Sequence, residues 1–273
     1  GSVLLNGDLI AIGGADTGNN GGHAGGAVTI DIGGDAGVIT FATGADITTT
    51  GSAANGGGAN GGAGGLVTLN TNTQIITLTD TTIDTSAGLA AGSGTANTGG
   101  AVTLSDLVTL AGGTVTITTG ATAGAILFSS TVTGAQPLTL TAGTGDVTFT
   151  GVVGATPLGL VTIASSGTAL ATAAFSSAGQ TWTAVTAIRT NGLVTSTGTV
   201  NLSSALIDVD GGITAAGQLV DLNAGANGLT LDGAAITTTG GAEAAAGAID
   251  IDSTTGSVLL NGDLIAIGGA DTG

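Results

Sequence analysis

The stretch GLVTLNTNTQIITLTDTTIDTSAGLAAGSGTANTGG, Gly65 to Gly100, decides the fold. It holds three short runs, "VTL", "QIITLT" and "TTIDT", in which aliphatic residues alternate with Thr, Asp or Asn. Alternation with a period of two marks strands with one buried and one wet face. A glycine-rich tail then leads to "GAVTL" at Gly100, a near copy of "GLVTL" at Gly65 and of "GAVTI" at Gly26. The intervals are 39 and 35 residues, and the next phrase, "GAILF", opens 24 residues later at Gly124 with almost no glycine stretch before it. The unit is therefore a three-strand coil of about two dozen residues, into which some coils insert a glycine loop, and such periods point to a solenoid.

Three strands per turn, each turn stacked on the last, predict an all-β fold: a parallel β-helix, or β-solenoid, with Gly-rich loops protruding from one corner. Each strand pairs with its counterparts above and below, about 4.8 Å away. Val, Ile and Leu point inward in columns, and Thr, Asp and Asn point outward. No window carries capped apolar residues at helical spacing. The stretch FSSAGQTWTAVTAIRTNGLVTSTG, Phe175 to Gly198, alternates more weakly, and coils are placed there only approximately.

Composition agrees with stacked thin layers. Gly is 54 of 273 residues, aromatics are 2 %, and Cys, Met and Tyr are absent. A compact globule draws much of its buried area from large rings, whereas an aliphatic ladder does not. Phe41, Phe128, Phe149 and Phe175 are expected in the core or at its corners. The net charge is −17, with Arg189 the only Lys or Arg. Binding a nucleic-acid backbone needs clustered cations, so nucleic acid is excluded as a partner, as is attraction to an anionic membrane surface. No apolar run reaches the length of a membrane span.

The first eighteen residues, GSVLLNGDLIAIGGADTG, recur as Gly256 to Gly273. Residues 1–273 therefore read as one continuous solenoid segment: a 255-residue tandem-repeat period plus an 18-residue overlap. Nine or ten coils fit in a period, or about 45 Å of fibre. Continued as an array, the repeat would extrude loops from four consecutive coils at the same corner: 239–247, 13–25, 51–64 and 86–99. Loops stacked at coil spacing should form an ordered fin, because Gly, Ala and Asn let backbones approach closely. Asn19, Asn20, His23, Asn55, Asn60 and Asn97 are the candidate residues for lateral contact between fibres.

Candidate chemistry is sparse. The pairs Asp208/Asp210 ("IDVD") and Asp250/Asp252 ("IDID") fall on outward positions of single strands, which makes them solvated ladder residues. Sugar-stacking rings are nearly missing, so a polysaccharide-active enzyme is disfavoured. No catalytic, cofactor or metal residue is assigned. Outward Asp from neighbouring coils is a minor candidate for Ca2+, and His23 lacks a second ligand nearby. A flat Thr array on a solenoid is what an ice-binding face looks like, but Asp and Asn are expected to interrupt the Thr columns.

The phrases TGDVTFTGVVGATPLGLVTI (Thr144 to Ile163), ADITTTGSAANGGGANGGAGGLVTL (Ala45 to Leu69) and GTVNLSSALI (Gly198 to Ile207) resemble the β-strand repeats of giant bacterial exoproteins of the filamentous-haemagglutinin type. The resemblance covers nearly the whole chain. It implies a right-handed β-helix, export across the outer membrane and a role as surface fibre or adhesin. No functional residue carries over. The resulting expectation is a structural, non-enzymatic repeat of an extracellular or cell-surface filament, whose partners are other copies, end to end and side by side. An adhesin stalk that holds a distant binding domain is the alternative.

Overall fold

The computed structural model describes residues 1–18, 20–34 and 36–270, and for Ser165 the backbone alone. Twenty-seven strands form one continuous parallel sheet wound into a solenoid, with no helix among the described residues. Each coil presents three faces. Face one begins with Val3–Leu5, face two with Leu9–Ile10 and face three with Val28–Asp31. Every strand between the two outermost coils pairs with the same face of the coil before and after it.

Alternation translates directly into inward ladders. On face one, Val3, Ile39, Ile76, Val108, Val132 and Val153 lie in register, and Phe175 continues the column. Face two stacks Ile47, Ile83, Ile117, Leu140, Ile163 and then Trp182. Face three stacks Val28, Val67, Val102, Ile126 and Val147. β-Branched residues suit these positions because their stiff side chains pack on a pleated surface. The three ladders meet in a single core that runs the length of the molecule.

All four Phe are buried. Phe128 and Phe149 stack on successive coils at 4.9 Å, and Phe175 meets Trp182 edge to face, also at 4.9 Å. The next residues of that face-three ladder are Ala169 and Ala171, opposite Val147 and Phe149. Small residues at this level leave the room that the indole of Trp182 fills from face two.

The stretch from Phe175 to Gly198, where alternation is weak, is as regular as any other. Coils there take 19 residues, as the partners Ala169, Ile188 and Ile207 show. The difference from the two-dozen expectation has a physical cause. Strands Val153–Ser165, Phe175–Thr183, Val200–Val209 and Val220–Leu231 each run around a corner and serve two faces, so no turn segment separates them.

The loops at 13–25, 51–64 and 86–99 all leave the corner between faces two and three, as expected. The loop at 239–247 connects Ile236–Thr237 on face one to Ile249–Ser253 on face two, one corner away. It stacks on 267–270, the start of the second copy of the first loop: Gly240 N donates to Ile267 O and Gly269 N to Ala244 O. The fourfold stack expected of an array is thus begun at this end of the chain.

Candidate functional site

The glycine loops form the one feature that the core does not require, and they are built from their roots outward. Thr49 and Thr85 follow the face-two strands and point inward, fully buried. Their hydroxyls donate to Gly65 O at 2.6 Å and Gly100 O at 2.5 Å, the first residues after each loop. Gly65 N and Gly100 N donate back to Thr49 O and Thr85 O. The same clamp closes the 239–247 loop, where the Thr238 hydroxyl donates to Gly247 O at 2.7 Å. It also closes the tight corner at Thr119 and Gly124, where only residues 120–123 intervene. The first loop lacks the hydroxyl: Ala11 stands at that position and keeps only the backbone bond from Gly26. Sequence reading passes over these threonines, although the signal is there. Thr49 lies two residues after the inward Ile47, so it is a polar residue on the buried side of an alternating strand.

Beyond the roots, backbone bonds tie loop to loop. Gly13 N donates to Thr50 O, Ser52 N to His23 O and Gly22 N to Asn60 O, all at 2.8–2.9 Å. From the second loop to the third, Ala54 N donates to Leu89 O, Gly58 N to Ala91 O and Gly64 N to Thr98 O. Outgoing and returning legs are also joined, by Gly62 N to Ser52 O and Gly88 N to Gly62 O. The result is a fin two backbone layers thick, as expected for an ordered array. Glycine is needed where the layers cross: a Cβ on Gly22 would lie 2.0 Å from Ser52 O, and one on Gly88 1.9 Å from the same oxygen.

The candidate lateral-contact residues divide. Asn19 lies outside the described residues. Asn20, His23, Asn55, Asn60 and Asn97 are all exposed. Asn60 is engaged within the fin, its Oδ1 accepting from Thr95 N at 2.9 Å and Thr95 Oγ1 at 3.1 Å. The Asn55 side-chain amide reaches Asp16 O at 3.4 Å, and Asn97 Oδ1 accepts from the next residue, Thr98 N. The His23 backbone bonds Ser52 on both sides, with its N donating to Ser52 Oγ at 2.8 Å.

The outward carboxylates stay at the surface, as the strand geometry requires. Asp210, Asp250 and Asp252 are exposed, and no group of acids, His or Cys that could hold a metal occurs among the described residues. Arg189 sits directly opposite Asp208 on the adjoining coil and pairs with it at 3.4 Å. Partial burial holds the Asp208 carboxyl above its ordinary value; Asp210 and Asp232 push the same way, while Arg189 opposes them.

The Thr columns depart from expectation on one face. On face two, Thr116, Thr139, Thr162 and Thr181 give way to Asn201, Asp221 and Asp250. Face one instead carries two hydroxyl runs with no Asp or Asn: Thr40 to Thr133 over four coils, and Ser176 to Thr237 over four more.

No family model matches the chain, and neither a characterised protein nor a solved structure does.

Proposed function

We propose that the chain is a structural repeat of a long extracellular or cell-surface fibre, built by end-to-end stacking of solenoid coils. One observation carries the reading. The second copy of the opening phrase continues the solenoid without a break, Val258–Leu260 pairing with Leu229–Leu231 and Leu264–Ile265 with Ile236–Thr237. The inward residues of this last coil, Val258 and Leu260, are 42 % and 41 % exposed because no further coil stacks on them among the described residues. A following coil would cover them at about 25 cal/mol per Å2 of apolar surface, and unpaired strand edges favour such addition. No catalytic step belongs to this reading. The likeness to filamentous-haemagglutinin-type exoproteins supports a surface location, and an adhesin stalk is a special case of the same fibre.

Cryo-electron microscopy of the native material tests it. A continuous filament with a ~4.8 Å layer line along its axis is expected; discrete particles would overturn the reading. The fin is assigned to side-by-side association of fibres. Replacing residues 50–64 by the four residues 120–123 of the tight corner should leave the solenoid folded and reduce bundling; unchanged bundling removes that role.

The hydroxyl runs of face one favour a second reading, an ice-binding face. Thermal hysteresis in solutions of the chain, lost on Thr77→Lys with Thr109→Lys, is its expected sign. Hysteresis absent at high protein concentration removes it.

A further inference from the structure

The two copies of the opening phrase occupy different faces. Val3–Leu5 lies on face one, pairing with Ile39–Phe41, whereas its copy Val258–Leu260 lies on face three, pairing with Leu229–Leu231. Likewise Leu9–Ile10 is on face two and its copy Leu264–Ile265 on face one. Both copies are shifted by one face in the same direction, so the shift belongs to the whole coil. Counting along the chain gives the reason. From Val3–Leu5 to Val258–Leu260 there are 25 steps in strand number, and four strands on the way each turn a corner and occupy two faces, making 29 face positions. Twenty-nine is nine coils and two faces, not a whole number of coils.

We infer that successive 255-residue repeats in the fibre are rotated by one third of a turn about its axis, so that their fins emerge from the three corners in rotation. This rests on the fibre reading above. A solenoid of whole coils would place every fin in one line, and fibres would then join edge to edge as ribbons. Rotated fins face three ways, spaced about 46 Å apart along the axis by the ~4.8 Å coil rise, and return to one corner every ~140 Å. The partner of this surface is a second fibre of the same chain, met on three sides.

The junction is specified as well. The open edge on face two is Ile249–Ser253, whose inward Ile249 and Ile251 are half-buried. Gly247 closes a loop root there as Gly65 does before Val67. Aligned on that root, "GAIDID" of one repeat receives "GAVTID" of the next, with Val28 over Ile249 and Thr29 beside Asp250. At the other end Ile30 is likewise only partly buried on its outermost strand.

Two measurements test the inference. In cryo-electron reconstructions of native fibres, fins should appear on three sides with an axial recurrence three times the single-repeat rise; fins in one row would overturn it. In a chain of two tandem repeats, which has no native Cys, Asp250→Cys in the first repeat and Thr29→Cys in the second should form a disulfide on treatment with a thiol oxidant such as diamide, which takes up the two electrons and two protons, since adjacent strands lie within bridging distance. The cross-link is read as a mobility shift lost on reduction. A folded two-repeat chain whose thiols stay free would overturn the inference even if fibres form. Native material without fibres would overturn the fibre reading, and the cross-link alone would then decide the rotation.

Discussion

Two regions of the molecule close the same cross-section at very different lengths. Around Val28, Val67 and Val102, one coil takes 35–39 residues. Around Ala169, Ile188 and Ile207, one coil takes 19. Both regions bury a continuous ladder of strands paired in register. Most of the additional residues of the first region go into the glycine loops, which contribute backbone bonds to one another rather than apolar area to the core. The comparison separates what holds the solenoid together from what the solenoid carries. The short coils show that the fold has no need of the loops.

The largest expected effect lies in the compact region. Trp182 is 1 % exposed and touches Phe149 and Phe175, so Trp182→Ala should cost about 3–5 kcal/mol in chemical denaturation. Trp182→Phe should cost far less, because the indole Nε1 is buried without a hydrogen-bond partner and its removal recovers about 1–3 kcal/mol of unmet hydrogen bonding. Equal losses for the two variants would mean that the indole N–H is satisfied.

Next come the loop roots. Thr85→Val preserves shape and leaves Gly100 O without its donor, at an expected cost of about 1–3 kcal/mol. Thr119→Val makes the same change where no long loop follows. If the clamp serves the fin, amide exchange should quicken across residues 86–99 in the first variant and stay confined to the corner in the second. Similar exchange in both would make the clamp a feature of the coil alone.

Within the fin, Gly88→Ala should push the outgoing legs of the second and third loops apart. Amide protection of Gly62 and of residue 88 is expected to fall by tenfold or more, with a change in melting temperature of no more than about 2 °C, as befits a region outside the cooperative core. A melting shift as large as that of Trp182→Ala would show that fin and core unfold together.

The smallest effect concerns Asp208. Its folded-state pKa is raised above 3.8, so the folded chain holds more protons than the unfolded one between that value and the raised one. Stability contributed there falls as pH rises through the window. Asp208→Asn should flatten that slope and leave the chain slightly more stable at neutral pH, less the loss of the exposed Arg189 pair. A steeper slope in the variant would reverse the assignment.

Most of the fold is legible in the sequence wherever the inward positions are large and the corners are marked. Leu69, Ile83 and Ile117 stand between polar neighbours, Thr with Asn, Asp or a second Thr, and glycines punctuate the loops. The compact region hides its strands because inward positions are held by Ala169, Ala171, Ser177 and Thr190, which do not read as core. Ser177 and Gln180 bond each other inside a corner, Nε2 donating to Oγ at 3.1 Å, and such polar pairs blur a hydrophobic pattern. The loops are legible as a group by composition. Their root threonines are not, since Thr is equally at home on the wet side of a strand and only the phase of alternation distinguishes the two. The one-third rotation escapes a count by residues, because coils of unequal length make the number of faces visible only once strands that turn corners are traced.

Arg189 lies in a strand with partners on both sides, Leu170 before it and Asp208 after it. It is also the only Lys or Arg in the chain. A protease that cuts after basic residues therefore has a single address here, the bond to Thr190, and Thr190 is fully buried. Cleavage requires an extended segment to leave its ladder, so digestion of the chain proceeds no faster than that coil opens. In the fibre proposed above, such enzymes would meet a line of locked sites, one per repeat, and the rate of cutting would be a clock of how often the solenoid breathes.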